Sequence, residues 1–365
     1  MRLTLVIHSL SAGGAEKIMT ILANYWAERN WDITLLTFDS DPSFYYLDDR
    51  VKHIPLAIAS SSENIFTAIY ENLIRIQVLR SAISKSRPDA VISFLSTVNI
   101  LTIIATRGLK TPVIVEEHNY PDMCPLGRIW EILRMWTYPR ADKVIALTAR
   151  ALGCLSPQIQ ARGYVLPNPV LPIIFKENCQ IQWIVKPSLI AMGRLDEQKH
   201  FDLLLQAFST LKDNHPEWTL TILGEGKLRA QLEDLRDHLG LKDRVYLPGV
   251  VKNPHDFLRQ ADIFVMSSRF EGFPNAICEA MACGLPVIST DCPSGPREII
   301  REGVDGNLVP TEDVLALSNA MQNLMLNEPL RNHLAQNALE ITDRFGLERI
   351  MAMWDKILQE VAHRY

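Results

Sequence analysis

Ten short, mostly apolar runs in two series of five constrain the fold of this 365-residue chain more than any other feature. The first series lies at residues 3–7, 33–38, 90–95, 112–117 and 143–148, and the second at 188–193, 219–224, 244–249, 262–267 and 286–290. Such runs are typical of strands buried on both faces of a parallel sheet, and amphipathic helices fit between them. We therefore predict an α/β protein with two doubly wound, Rossmann-like domains.

The domain boundaries follow from the same pattern. The N-terminal domain is predicted to span residues 1–170 and the second domain residues 188–346. Residues 165–187 contain four prolines and no clean periodicity, so we expect a linker at 171–187. A helical pattern at 347–361 could pack back on the N-terminal domain.

The distribution of charge separates the two halves. The net charge of −5 argues against a nucleic-acid-binding protein. Residues 1–170 contain 17 Lys and Arg against 15 Asp and Glu, whereas residues 171–365 contain 20 against 27. Residues 75–114 carry one acidic residue, Asp89, beside a group of basic ones, which indicates an anionic partner. The basic residues are Arg75, Arg80, Lys85, Arg87, Arg107 and Lys110.

Further patterns bear on the compartment. The six cysteines form no C-x-x-C pair and have no histidine at metal-ligand spacing, so we expect free thiols in a reducing compartment. His8 and Ser9 interrupt the first apolar run, which is no export signal. The longest uncharged stretch, Ala90–Thr106, is too short and too polar to span a bilayer. We expect a cytoplasmic protein, soluble or attached to a membrane from one side.

A pair of glycines, Gly13 and Gly14, lies between the first strand and a helix. Glycine lets the backbone approach a ligand closely, and the N-terminus of a helix attracts an anion. A tight turn would explain the same residues. The pattern is not G-x-G-x-x-G, and no acidic residue follows the second strand in a convincing ribose position, which argues against a nicotinamide cofactor.

Arg194 and Lys199 stand five residues apart where the second domain's first strand leads into a helix. Both side chains could converge on one diphosphate and stabilise a departing anion. Two solvated charges in a loop are the alternative. The adjacent His200 is interpreted as structural.

The block at residues 269–282 carries most of the chemistry, because Glu271 and Glu279 flank seven residues at a loop-to-helix junction. The helix is predicted to begin at Asn275. Small apolar neighbours indicate that Glu279 is partly buried, and a buried carboxylate needs donors such as the two hydroxyls of a ribose. An internal ion pair is the alternative.

Together, these blocks resemble the retaining GT-B glycosyltransferases of family 4 over nearly the whole chain. The resemblance implies two Rossmann-like domains facing across a cleft and transfer of a sugar from a nucleotide donor with retained anomeric configuration. It also implies that no metal ion is needed, and this sequence has no D-x-D motif in a plausible loop. We expect no cofactor beyond the donor substrate, most simply a UDP-sugar.

The resemblance also assigns roles to residues. It implies that Glu279 binds the ribose, that Arg194 and Lys199 bind the diphosphate, and that Glu271 meets the donor sugar. Gly13 and Gly14 would close over the phosphates. The full set of implied donor-binding residues is Gly13, Gly14, Gly193, Arg194, Lys199, Gly249, Val250, Glu271, Gly272, Phe273, Pro274, Asn275 and Glu279.

His118 ends a predicted strand of the N-terminal domain. Ligands of open α/β sheets bind at the carboxyl ends of strands, and the family has an active-site histidine at the corresponding strand end. The alternative is a structural histidine that makes its hydrogen bonds within the protein core. The resemblance therefore implies a catalytic set of His118, Arg194, Lys199 and Glu271.

The motif S-G-P-x-E-I at residues 294–299 resembles a subgroup that extends lipid-linked oligosaccharides, including bacterial N-acetylgalactosamine and amylovoran-type transferases. Tryptophans and arginines at 125–140 are typical of a helix at a membrane interface, and a core helix with solvated arginines is the alternative. They lie at helical spacing with the apolar residues Leu126, Ile129, Trp130, Leu133 and Trp136, among Arg128, Arg134 and Arg140. We expect a polyprenyl-diphosphate-linked glycan acceptor and peripheral attachment to anionic lipid on the cytoplasmic face of the inner membrane.

Other functions remain open from the sequence. A non-catalytic nucleotide-sugar-binding subunit would keep Glu279 and Arg194 but lack chemistry toward an acceptor. A GT-B-fold epimerase would need additional acid–base carboxylates that the sequence does not place. The donor sugar, the acceptor glycan and the linkage are not specified by these motifs.

Overall fold

The computed structural model describes residues 1–59, 65–173 and 182–362. They form two compact units. The N-terminal unit comprises the residues up to Asn168 together with those from Ile350 onward, and the C-terminal unit is Pro169–Arg349. Of the linker expected at 171–187, residues 174–181 lie outside the described residues.

Within the described residues, the N-terminal unit contains a seven-stranded parallel sheet. Its strands are β1 (Arg2–Ile7), β2 (Asp32–Thr37), β3 (Lys52–Pro55), β4 (Ala90–Phe94), β5 (Val113–Glu117), β6 (Lys143–Ala146) and β7 (Gly163–Val165). The spatial order is β3-β2-β1-β4-β5-β6-β7, so the direction of winding reverses between β1 and β4. The strands β4 and β5 are buried along their whole length, as their apolar runs predict.

Helices cover this sheet. They are α1 (Gly14–Glu28), α2 (Ile65–Ser86), α3 (Ser96–Thr106), α4 (Arg128–Thr137), α5 (Ala149–Gly153) and α6 (Pro157–Gln160), with a 3-10 turn at Tyr138–Arg140. The helices α2 and α4 both contact α3. The apolar residues of α3 pack with those of the central strands in one core cluster, which fixes the loops at the strand ends.

The described part of the C-terminal unit contains a six-stranded parallel sheet. Its strands are β8 (Ser188–Met192), β9 (Thr219–Leu223), β10 (Val245–Gly249), β11 (Ile263–Met266), β12 (Val287–Thr290) and β13 (Gly306–Val309). The order is β10-β9-β8-β11-β12-β13, so the reversal lies between β8 and β11. The helices of this unit are α7 (Phe201–Ser209), α8 (Arg229–His238), α9 (Pro254–Leu258), α10 (Asn275–Ala282), α11 (Pro296–Ile299), α12 (Val314–Leu326), α13 (Glu328–Ala338) and α14 (Ile341–Arg344).

The last helix, α15 (Leu347–Ala362), belongs from Ile350 onward to the N-terminal unit. Its buried residues recur every three or four positions and form one apolar stripe. They are Ile350, Met351, Trp354, Ile357, Leu358 and Val361. The Trp354 ring meets Trp26 of α1 edge-on, with the ring centroids 6.0 Å apart.

The ten predicted strands are confirmed, with ends that differ by at most two residues. The described strands that the apolar runs did not predict are β3, β7 and β13, and each lies at an edge of its sheet. An edge strand is covered on fewer sides, so it does not need a continuous apolar run. Accordingly, β3 and β7 contain no fully buried residue.

Two further expectations concern helices and thiols. Among the described residues, no helix combines the length and apolarity required to cross a membrane. Cys154, Cys278 and Cys292 are free thiols, as predicted, whereas Cys179 lies outside the described residues. Burial raises the pKa of Cys292 to about 12.

Candidate functional site

Lys199 and Glu271 meet at the carboxyl ends of β8 and β11, where the strand order of the C-terminal unit reverses. Ligands of open α/β sheets bind at this point. Lys199 Nζ lies 2.6 Å from Glu271 Oε1, and the side chains are only 15% and 6% exposed. Ser268 Oγ donates to the same carboxylate oxygen at 2.6 Å. The carboxylate is therefore held by an ammonium and a hydroxyl before any ligand binds.

Arg269 fixes the two loops that carry this pair. Its guanidinium donates to the carbonyl of Glu197 at 2.8 Å and to Nε2 of His200 at 2.7 Å, and its backbone N–H donates to Gln198 O. His200 adopts the left-handed backbone conformation, with φ of 52°. Because Arg269 can only donate, His200 accepts as a neutral imidazole, and burial lowers the pKa of His200. The structural interpretation of His200 fits these contacts.

Arg194 occupies a different environment from Lys199. Its side chain is 71% exposed, and Nε lies 2.6 Å from Asp196 Oδ2. Gly193 lies under the stem of Lys199, where a Cβ atom would come within 2.9 Å of that side chain. The two basic groups thus have separate carboxylate partners, Asp196 and Glu271, and their convergence on one diphosphate stays a prediction.

Three glycines pack the neighbouring strand-end loops closely together. A Cβ on Gly224 would lie 1.9 Å from the carbonyl oxygen of Gly193, so no side chain fits there. The backbone N–H of Gly224 in turn donates to the carbonyl of Gly249, which has φ of +88°. Val250 follows and is half exposed. The loops after β8, β9 and β10 are therefore packed against one another, and the donor-binding role of Gly249 and Val250 stays a prediction.

Glu279 lies one turn inside α10, which begins at Asn275 as predicted. Its side chain is partly buried, and Oε2 lies 3.2 Å from Nε2 of His255 in α9. The helix α9 follows the Gly249–Val250 loop along the chain. The nearby imidazole was not foreseen, because a histidine 24 residues upstream carries no motif that marks it.

The S-G-P motif at residues 294–296 and the preceding Pro293 contact the loop that carries Glu271. The N–H of Glu271 donates to Pro293 O, and the N–H of Ser294 donates to Glu271 O. Gly295 has φ of +105°, and a Cβ there would come within 2.5 Å of Pro274 Cδ. Phe273 and Pro274 are buried in this packing, with Gly272 and Asn275 beside them. The block thereby supports the backbone at 272–275 rather than adding a charged group to the site.

In the N-terminal unit, Gly13 and Gly14 lie at the start of α1, directly after the loop that follows β1. The carboxylate of Glu16 lies against Gly13, where a Cβ would come within 2.0 Å of Glu16 Oε2. Ser9 Oγ lies 3.1 Å from Ser11 Oγ in the same loop. The two glycines thus lie at a helix start, as predicted, with the Glu16 carboxylate beside them, and their contact with the donor phosphates stays a prediction.

His118 follows β5 and is largely buried. Its Nε2 lies 3.1 Å from Oε1 of Glu116, and its ring packs against Phe94 with the ring centroids 4.3 Å apart. The strand-end position is the predicted one. Its catalytic role stays a prediction.

The basic surface of the N-terminal unit is smaller than the sequence suggested. Arg75 donates to the carbonyl of Ile58, and Arg80 donates to the carbonyls of Ala105 and Arg107. These two arginines hold the backbone of neighbouring loops. The exposed basic residues of this segment are Lys85, Arg87, Arg107 and Lys110.

The predicted apolar stripe at 125–140 is only partly exposed in the structure. Leu126, Trp130 and Leu133 pack against the core, and Arg134 is buried beside Glu131. The outward side chains are Ile129, Ile132, Met135 and Trp136. Two guanidinium groups lie over the ring of Trp136, from Arg140 at 4.2 Å and from Arg107 at 5.6 Å. The exposed apolar face of α4 is therefore flanked by cations, although only part of the predicted stripe contributes.

Known proteins match the chain across both units. Residues 12–171 match the family described as Glycosyltransferase Family 4, and residues 185–341 match glycosyl transferases group 1. The chain is 30% identical, over 99% of both chains, to the GalNAc-α-(1→4)-GalNAc-α-(1→3)-diNAcBac-PP-undecaprenol α-1,4-N-acetyl-D-galactosaminyltransferase of Campylobacter jejuni. It is 25% identical, over 98% of this chain and 99% of the relative, to the amylovoran biosynthesis glycosyltransferase AmsD of Erwinia amylovora.

A solved structure shows the same fold at lower identity. Anabaena HepE, determined in complex with UDP and glucose, matches with a TM-score of 0.81 and 18% identity over 98% of this chain and 99% of its own. The two parallel-sheet units thus have the GT-B architecture that the sequence predicted. With matching family regions in both units and a full-length relative at 30% identity, the chain belongs to the glycosyltransferases of family 4.

Proposed function

We propose that this protein transfers a sugar from a UDP-sugar to a hydroxyl of a polyprenyl-diphosphate-linked glycan, with retention of the anomeric configuration and without a metal ion. The buried Lys199–Glu271 pair at the carboxyl ends of β8 and β11 carries the proposal. It supplies an ammonium for a leaving diphosphate and a carboxylate for sugar hydroxyls at the point of the sheet where ligands bind.

Nucleotide binding is assigned to the C-terminal unit. Glu279 accepts the ribose hydroxyls, and Gly249 with Val250 lines the base. Gly193, Arg194 and Lys199 take the diphosphate, and the N-terminus of α10 adds the positive end of its dipole. HepE, which matches this fold, was solved with UDP, and this supports UDP as the nucleotide.

The reaction follows from these assignments. The bond between the anomeric carbon and the diphosphate oxygen breaks, and the acceptor oxygen forms its bond to that carbon on the same face. The acceptor proton passes to the departing diphosphate, whose charge Lys199 and Arg194 stabilise. Glu271 holds the sugar hydroxyls beside the 272–275 backbone. In the N-terminal unit, Gly13 and Gly14 are assigned to the phosphates and His118 to the donor sugar.

The acceptor class is supported by the relatives. The Campylobacter enzyme is named for an undecaprenyl-diphosphate-linked acceptor and for the transfer of N-acetylgalactosamine. AmsD is named for the biosynthesis of amylovoran. We therefore assign this chain to the assembly of a bacterial surface glycan, with a hexose or an N-acetylhexosamine as the transferred sugar.

Attachment to an anionic membrane surface is part of the proposal. The exposed apolar side chains of α4, with Arg107 and Arg140 over Trp136, support it, since an interfacial helix needs apolar and cationic groups side by side. This would keep the enzyme on the cytoplasmic face of the inner membrane, where its acceptor is anchored.

The test is UDP release from a panel of UDP-sugars, with and without a lipid extract that contains polyprenyl-diphosphate-linked glycans. We expect acceptor-dependent release with one donor, a lipid-linked product heavier by that sugar, and equal rates with and without EDTA. UDP binding without turnover on any donor would favour a non-catalytic binding subunit. Conversion of the donor sugar without acceptor would favour an epimerase.

A further inference from the structure

The buried carboxylate of Glu116 lies beside His118. Glu116 lies in β5 and His118 is the first residue after this strand, two positions on, so alternation along an extended chain brings the two side chains to the same side. Glu116 Oε1 lies 3.1 Å from His118 Nε2, and the side chains are 2% and 6% exposed. Within the described residues, His118 Nε2 and Glu116 Oε2 are both buried without a hydrogen-bond partner, so the two groups are close but not aligned as a regular hydrogen bond.

The neighbouring carboxylate, Glu117, provides the contrast. It points to the opposite face of β5, where Ser96 Oγ donates to Oε1 at 2.6 Å and Tyr138 OH donates to Oε2 at 2.9 Å. Both of its oxygens are satisfied, so Glu117 has a structural role. Asn99 Nδ2 donates to the backbone carbonyl of Glu116, which fixes the strand end but leaves the Glu116 side chain to His118.

We propose that Glu116 is a positioning residue for His118. The carboxylate accepts the Nε2–H of the imidazole, selects that tautomer, and leaves Nδ1 as the ring nitrogen that can meet a ligand. A buried carboxylate needs a donor, and the imidazole N–H is the group within reach. The ligand at Nδ1, a hydroxyl of the donor sugar, rests on the proposed function, whereas the tautomer does not.

The charge on Glu116 decides which of the two side chains donates in the proposed hydrogen bond. Burial raises the pKa of Glu116, and the adjacent imidazole opposes that rise. A protonated Glu116 would donate to Nε2 and select the opposite tautomer, with the proton on Nδ1. The other titratable groups of this cluster are Glu117, Tyr138 from the 3-10 turn and Arg134 from α4. The tautomer of His118 therefore reports directly on the proposal.

The first test measures that tautomer by long-range nitrogen–proton correlation NMR on protein labelled with ¹⁵N-histidine, with the signal assigned by its loss in His118→Gln. We expect the proton of wild-type His118 on Nε2 at neutral pH. We expect Glu116→Gln to weaken the preference for that tautomer, because the neutral amide can either accept from or donate to Nε2, and we expect the matched variant Glu117→Gln to leave it as in wild type. A proton on Nδ1 in the wild type would overturn the proposal even if neither variant folds.

The second test is kinetic. Loss of a group that orients an active-site residue typically costs about tenfold or more in activity, so we expect Glu116→Gln to lower kcat by about tenfold while KM changes less than about twofold. Unchanged kcat in a folded Glu116→Gln enzyme would refute the positioning role and leave the proposed function intact. Failure of the wild type to turn over any donor would count against the proposed function, while the NMR result would still decide the tautomer.

Discussion

Lys199 pairs with a buried carboxylate in the C-terminal unit and is also the residue assigned to the leaving diphosphate. Lys199 neutralises a carboxylate that is almost wholly withdrawn from water, and the same ammonium is the one assigned to the leaving diphosphate. When a ligand binds, Glu271 retains the hydroxyl of Ser268 as a donor. The site can therefore release the ammonium toward the diphosphate without leaving the carboxylate unsolvated.

Replacement of Lys199 by methionine should lower the free energy of unfolding by about 3–5 kcal/mol, because it leaves a buried charge unpaired. The matched control is Lys242→Met, which removes an exposed lysine 3.8 Å from Asp237 and should change stability by at most about 1 kcal/mol. Urea unfolding monitored by circular dichroism measures both. Equal effects of the two substitutions would contradict the buried pair. In the transfer assay, Lys199→Met should lower kcat about 10²–10³-fold.

Glu279→Ala should weaken UDP binding about tenfold, the magnitude of one charge-assisted hydrogen bond to the ribose. Glu328→Ala, an exposed glutamate at the start of α13, serves as the control and should bind UDP like the wild type. Isothermal titration calorimetry gives both dissociation constants. An unchanged affinity in Glu279→Ala would remove the ribose assignment.

At the scale of elements, the loops that carry the site are held by side-chain contacts that no strand pattern contains. Arg269 joins the β8 and β11 loops through His200. Protonation of His200 would turn its acceptor nitrogen into a donor and break this contact. The loop junction is therefore expected to weaken in acid.

The sign of this pH effect follows from the pKa of His200, which burial lowers in the folded protein. Between that lowered value and the unfolded value of about 6.5, the unfolded chain binds more protons, so the free energy of unfolding falls as the pH drops through this range. One such group contributes at most about 1.4 kcal/mol per pH unit. In His200→Asn, which tolerates the left-handed conformation, part of this pH dependence should disappear in urea unfolding across the range. An identical pH dependence in variant and wild type would refute the explanation.

The outward face of α4 makes a separate prediction. The double substitution Ile132→Asp with Met135→Asp should reduce the fraction of protein that floats with anionic liposomes by about tenfold or more, because each exposed apolar side chain is worth about 1.5–3 kcal/mol on burial. Leu326→Asp removes an exposed leucine of α12 and should float like the wild type. No flotation of the wild type with any lipid composition would contradict membrane attachment.

The central strands could be predicted from the sequence because burial on both faces demands apolar residues, and the residues that follow each strand could then be located. The edge strand β10 could be predicted as well, because its run at 244–249 is mostly apolar. The edge strands β3, β7 and β13 lack that demand, so their pairing shows only in the structure. The hydrogen-bond partners within the site could not be predicted either. Lys199 binds the carboxylate of Glu271, which lies 72 residues further along the chain, and Ser268, three residues before Glu271, donates to the same oxygen. The motifs mark Glu271, whereas its contacts depend on the register of two distant strands.

On the scale of the whole molecule, the residues from Ile350 onward belong to the N-terminal unit, although they follow the C-terminal unit in sequence. Trp354 is 1% exposed and packs edge-on against Trp26, which also stacks on Trp31. The salt bridge between Arg29 and Asp355, with an N–O distance of 3.2 Å, lies beside these rings. The helix α15 is thus part of the core of the N-terminal unit, although it follows the whole C-terminal unit in sequence.

Trp354→Ala should destabilise the N-terminal unit by about 3–5 kcal/mol, the typical cost of removing a buried tryptophan. Hydrogen exchange monitored by mass spectrometry should then show faster exchange in β1 and α1. The control is Trp183→Ala, because Trp183 is 41% exposed and lies in the other unit. Unchanged exchange in β1 and α1 after Trp354→Ala would show that α15 is not needed to hold them.

This connectivity also sets the order in which the protein can mature on the ribosome. The C-terminal unit has all of its residues as soon as Arg349 has left the exit tunnel. The N-terminal unit, although synthesised first, must wait for α15 with the apolar surface around Trp26 uncovered. The unit made first is therefore the last to be completed, and until then the apolar surface that α15 covers stays exposed on the nascent chain.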